Sequence, residues 1–414
     1  MSVASTNLPT PAARLAQPLD WALCMALGAL GFFLPFSTAG TSLSLLVLSL
    51  LAAAAAPAVW HIRPWRQPVM AAGLIFLAYA AVHTLWLEGF NLLALHTLNR
   101  YHELIMAPVL LALFHLTSRK RLFFNALVIS AVGYGAIHWV ALLDPGLANQ
   151  LASRRISAGF GLSVCAFLAL QQARHYRKPW LLRVAAAFLA LTVLFANDGR
   201  TGYVVLLVMV GYAAWLHSPP RWRWGALILL PLATFILAMG SSAVRTRLSE
   251  TIAFAQTPTG TELSSTGIRL ELLRNALALA KVHFVTGAGF ARYGQVHERI
   301  ARQRYAADPV KSAYLQSSWV KGDNPHNAYL LMLVSGGAPA LVLFLGWLLA
   351  PLIQKLQGKK VSSSLLGISL AFAVGCLFNS LLTDFTEGHL YAGLLAWLLA
   401  QADESDPQVE IKPA

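Results

Sequence analysis

The sequence predicts an all-α polytopic membrane protein of about twelve transmembrane helices with a large, partly helical external loop. Three observations carry this. Hydrophobic residues fill 57% of the 414 positions and charged residues only 12%, and the mean hydropathy of +0.60 lies far outside the soluble globular range. The apolar residues fall in runs close to the roughly 17–25 residues that a bilayer-spanning helix needs. Lysine and arginine gather in alternate loops between these runs, as the positive-inside rule asks.

Taken in order, the expected spans are residues 21–36, 41–59, 68–87, 101–116, 122–143, 156–171, 180–196, 201–216 and 224–241, then, after a long polar interval, 326–356, 362–382 and 389–400. With the N-terminus inside, the second span is followed by Arg63 and Arg66, and the fourth by Arg119, Lys120 and Arg121. Arg174, Arg177 and Lys178 follow the sixth, Arg221 and Arg223 the eighth, and Lys355, Lys359 and Lys360 the tenth. All of these fall on the cytoplasmic side provided that 326–356 crosses once, as one helix interrupted near Ser335-Gly336-Gly337-Ala338-Pro339. The expected organisation is a cytoplasmic tail (1–20), nine spans (21–242), an external loop (243–324), three spans (325–401) and a cytoplasmic tail (402–414).

The net charge of +14 is first a topology signal and implies no nucleic acid. Cys24, Cys165 and Cys376 each sit in an apolar run without metal-ligand spacing and read as small buried hydrophobes. No cleaved signal peptide is expected at the N-terminus. His83, His115 and His138 lie in separate spans, and His96 and His102 lack helical ligand spacing; no Asp-x-Asp pair offers to hold a pyrophosphate-bound metal. Neither a metal nor any other cofactor is expected.

Residues 243–323 hold eleven Lys or Arg against six Asp or Glu, on the side where topology does not ask for positive charge. Binding an anion explains them, as does a solvated surface for Arg299, Arg302, Arg304 and Lys311. Residues 266–280 read as an amphipathic helix, with Arg269 leading a face shared with Leu272, Leu273 and Ala276. Arg269 there needs a partner: an anion at the helix start, or Glu271 or Glu262. Arg200, in Asn197-Asp198-Gly199-Arg200-Thr201-Gly202, snorkels to the interface, pairs with Asp198, or faces the same anion. His326, in Asn324-Pro325-His326-Asn327-Ala328-Tyr329, is a structural histidine or a group that exchanges a proton near neutral pH. Gly287-Ala288-Gly289-Phe290 reads as a turn after the amphipathic helix rather than a phosphate loop.

These motifs in this layout resemble the O-antigen ligase and polymerase superfamily, most closely the O-antigen ligases. The resemblance implies a C-type glycosyltransferase-like membrane fold and metal-independent transfer on the periplasmic side of a Gram-negative inner membrane. It implies an undecaprenyl-pyrophosphate-linked glycan as donor and lipid A-core as acceptor, with membrane lipids around a monomer. Arg200, Arg269 and His326 match the family's catalytic positions; Arg274, Asn324, Asn327 and Tyr329 are further candidates for holding substrate. Direct attack by a sugar hydroxyl implies inversion, with His326 as base, although Asp384 and Glu387 share the external face. A polymerase or a protein O-oligosaccharyltransferase of the same superfamily would carry similar arginines. A transporter of anionic lipid would instead place its charges near mid-membrane.

Overall fold

The computed structural model describes residues 17–256, 265–308 and 324–402, and every regular element among them is helical. Glu262, Lys311 and the two chain ends lie outside these ranges. Helices α1 (Gln17–Phe33) and α2 (Thr38–Ala54) are joined through Ser37, whose hydroxyl caps α2 by accepting from Gly40 N at 3.0 Å. A bend of 88° leads into α3 (Ala56–Ile62). Then come α4 (Pro68–Glu88), α5 (Leu92–Asn99), α6 (Glu103–Leu116), α7 (Arg121–Ala141) and α8 (Pro145–Ala152). Next are α9 (Arg155–Gln172), α10 (Pro179–Phe195), α11 (Arg200–His217) and α12 (Arg223–Ala238). The polar interval contains α13 (Ser242–Gln256), α14 (Ser265–Val282) and α15 (Tyr293–Tyr305), and α16 (Ala328–Leu356), α17 (Ser363–Gly375) and α18 (Phe385–Ala402) follow.

Each of the twelve segments expected to cross a membrane is helical over most of its length. Among the described residues, five helical stretches are long and apolar enough to cross: α4, α7, α9 with the turn after it, α12 with the turn before it, and α16. The bent pair α2 and α3 makes a sixth if taken as one span, and α6, α10 and α17 are apolar but shorter. The centre is α18, buried from Glu387 to Ala400 on every side, as a helix enclosed by others must be. It packs on α6, α9 and α17. At the other extreme α12 exposes Ile228, Leu229, Leu232 and Ile236, a face suited to lipid.

Two glycine positions decide how the elements approach one another. A Cβ on Gly202 would stand 2.6 Å from Gly159 Cα, so α11 and α9 touch backbone to backbone. Their outer ends, with Arg200 and Arg155, are thereby held side by side. The second position is the expected interruption of residues 326–356, found at Gly337, where φ is +73° inside α16. The Gly287–Phe290 turn docks into that break. Ala288 N donates to Val334 O (2.7 Å), Gly289 N to Ser335 O (2.8 Å), and Ala338 N to Phe284 O (2.7 Å). Backbone groups that the break takes out of the helix are thus satisfied by the loop, as an apolar setting demands.

Candidate active site

The N-terminal ends of α9 and α11, together with α13 and α14, lie beside the turn before α16 and the turn after α17, and polar side chains gather there. Locally the Asn197–Gly202 turn is fixed by its own residues. Asn197 Oδ1 accepts from Gly199 N at 2.8 Å, its Nδ2 donates to Arg155 O at 3.1 Å, and Tyr203 Oη donates to Asn197 O at 2.6 Å. Arg200 therefore starts α11 facing α13, where its Nη2 meets Glu250 Oε2 at 2.9 Å. Asp198 does not pair with Arg200. Its carboxylate takes Arg247 at 2.7 Å and Arg155 at 3.7 Å, and Arg247 also reaches Glu250 at 3.2 Å.

Arg269, in the second turn of α14, has no hydrogen-bond or ion-pair partner among the described residues. Of the two local partners expected for it, Glu271 binds Arg274 instead, at 2.7 Å, and Glu262 is outside the described residues. Burial, and then the charges of Arg200, Arg155 and Arg247, push the pKa of Arg269 down. Among the described residues, four guanidinium groups therefore stand together with two carboxylates, Asp198 and Glu250. Positive charge gathered in this way favours an anion. The ion pairs in the cluster are part-exposed, so each is worth about 0–1 kcal/mol and is readily exchanged.

His326 lies beside this cluster, close enough for Arg269 to bear on its charge. Its backbone is left-handed (φ +52°), a strained conformation for a residue with a Cβ. The surroundings hold it there. Asn324 Oδ1 accepts from His326 N (2.8 Å) and from Ser380 Oγ (2.7 Å), Asn327 Nδ2 donates to Leu377 O (3.0 Å), and Ala328 N donates to Cys376 O (2.9 Å). Asn327 also caps α16 through Leu330 N (2.9 Å), and Tyr329 Oη donates to Ala373 O (2.7 Å). The polar atoms of Asn324, Asn327 and Tyr329 are thus used to sew the His326 turn to the turn after α17.

The imidazole has a defined tautomer. Asp384 Oδ2 accepts from Asn379 Nδ2 at 2.7 Å, so Asn379 turns its carbonyl oxygen to His326 Nδ1, 2.9 Å away. A carbonyl oxygen accepts only, so Nδ1 carries the hydrogen and Nε2 keeps its lone pair. Burial, and then Arg269, lower the pKa of His326 against the opposing bond from Asn379. The ring is therefore neutral at neutral pH, with a basic nitrogen next to a cationic cluster.

Of the seven site candidates, Arg200, Arg269 and His326 converge. Arg274 does not join them: it is half-exposed and belongs to a network in which Glu271 also accepts from Tyr305 (3.0 Å) and Arg304 donates to Asn275 (2.6 Å). Sequence reasoning missed Arg155, Arg247 and Asn379. Asp384 it left open, as it did Glu387, which is buried and accepts from Ser157 Oγ at 2.8 Å. Nor did it foresee that His102 would meet His389, 287 positions away. Arg247 had a signal, one turn from Glu250 in a polar segment; the others had none short of the fold.

The described residues thus set an unprotonated ring nitrogen against an arginine cluster in an all-helical membrane protein. Residues 185–345, from α10 to the middle of α16, match the family model described as O-antigen ligase, a match that supports the O-antigen ligase superfamily and suggests a glycosyltransferase-like enzyme. No curated protein matches the chain.

Proposed function

We propose that this protein is an O-antigen ligase, moving O-polysaccharide from undecaprenyl pyrophosphate to a terminal sugar of lipid A-core on the periplasmic side of the inner membrane. The observation that carries the reading is the gathering of arginines around Arg269 beside a histidine whose Nε2 is unprotonated. A diphosphate esterified at both ends carries two negative charges, which guanidinium groups gathered around Arg269 can meet. Arg269 and Arg200 bind its oxygens, Arg200 exchanging Glu250 for phosphate; guanidinium suits this because it is bidentate and permanently charged.

The acceptor hydroxyl attacks the anomeric carbon as the bond to the diphosphate oxygen breaks. The departing electron pair goes to the diphosphate, where the arginines stabilise the growing charge as a metal would elsewhere. The hydroxyl proton goes to His326 Nε2, while Asn379 and Asp384 hold the ring in the receiving tautomer. One displacement inverts the anomeric centre. Asn324, Asn327 and Tyr329 serve by shaping the turn that presents His326.

Reconstitution of the purified chain with undecaprenyl-pyrophosphate glycan and lipid A-core, in chelator, tests this. The expected product is glycosylated lipid A-core, lost with Arg269→Ala and His326→Ala. Transport of the donor without a covalent product would overturn the proposal.

A further inference from the structure

Beside the proposed active site, His102 closes the turn before α6, Glu103 begins α6, and His389 begins the second turn of α18. His389 Nδ1 lies 2.6 Å from Phe385 O, and His102 Nδ1 lies 2.6 Å from Asn99 O. Carbonyl oxygens only accept, so both Nδ1 atoms carry hydrogen, and in the neutral rings both Nε2 atoms present lone pairs. The two Nε2 atoms nevertheless face each other at 2.9 Å. Two lone pairs so close repel unless a cation lies between them or beside them. Glu103 supplies a third donor. It is only 3% exposed, its Oε1 has no partner among the described residues, and one donor atom from each of the three residues lies within 4.8 Å of the others.

The geometry points to a divalent-cation site of the zinc class, with His102 Nε2, His389 Nε2 and the Glu103 carboxylate as ligands. Two neutral imidazoles and a carboxylate are a donor set that zinc accepts, leaving a fourth position open. Carbonyl groups anchoring the opposite ring nitrogens are what orient such ligands. Tetrahedral bonds of about 2.0–2.1 Å set the two nitrogens roughly 3.3 Å apart, so the rings need part by only a few tenths of an ångström. Gly388 leaves room for the carboxylate, since a Cβ there would stand 3.3 Å from Glu103 Oε1. The ion would tie α6 to the outer end of α18, just after Asp384. This tie does not depend on the glycosyl transfer proposed above.

The test is metal content and thermal unfolding of the untagged full-length protein in detergent, dialysed with and without zinc chloride. About one zinc per chain should be retained, raising the melting temperature in a way that chelator reverses. Glu103→Gln and His389→Gln should each weaken zinc binding by about tenfold or more. Chelation of the unaltered protein keeps the test valid if a variant fails to fold. No retained zinc, retention equal in the variants, or a histidine pair that shares only a proton and titrates without taking up metal would overturn the site.

Discussion

At the scale of single residues, the chemistry rests on one ring nitrogen. His326→Ala should lower the transfer rate about 10²- to 10⁴-fold with little change in donor binding, measured as single-turnover ligation against donor affinity. Because burial and Arg269 lower its pKa, His326 stays neutral to below the ordinary value of about 6.5. Activity should therefore hold at neutral pH and fall only in more acid solution; in Arg269→Ala the titration of the His326 ring, followed by NMR, should move upward. Stability has the same sign. The unfolded chain takes up this proton first, so the contribution of His326 is complete above pH 6.5 and is lost as pH falls. Asn379→Ala should cost less than His326→Ala and change the pH profile, because it frees the tautomer without removing the base. Arg200, Arg269 and His326 were legible in the sequence because each stands in a short motif where its residue type has few uses. Asn379 and Arg155 were not, since their roles depend on partners 53 and 43 positions away.

At the scale of elements, the Gly287–Phe290 turn and the break in α16 are one structure. Gly337→Val forces a β-branched side chain into φ +73° and puts its Cβ 2.2 Å from Val285 O. It should cost at least about 1–3 kcal/mol and lower the melting temperature in detergent. Gly202→Leu should separate α11 from α9, moving Arg200 relative to Arg155, and should depress transfer more than stability. The interrupted helix and the amphipathic helix were legible as composition and period. The docking of one on the other was not, because backbone hydrogen bonds carry no side-chain signature.

At the scale of the whole molecule, the charge pattern predicts sidedness. The native cysteines are all buried, so introduced ones report cleanly. Gln295→Cys, exposed on α15, should react with an impermeant thiol reagent from the periplasmic side, and Ser118→Cys, exposed between α6 and α7, only after lysis. The reverse pattern would invert the topology and remove the proposed site from the periplasm. The expected twelve spans exceed the five or six helical stretches of full crossing length among the described residues because several apolar helices are short. With 14 residues, α6 covers about 21 Å against a hydrocarbon core of about 30 Å. It stops where His102 and Glu103 join the polar outer layer.

The break at Gly337 makes the outer part of α16 a lever with His326 at its tip. Eleven residues separate fulcrum and tip, about 16 Å along a helix, so a tilt of about 5° swings the imidazole about 1.4 Å. Displacements of that order decide whether a proton acceptor reaches its hydroxyl. The Gly287–Phe290 turn, clamped onto the fulcrum, thus sets the stroke of a group 36 positions further along the chain.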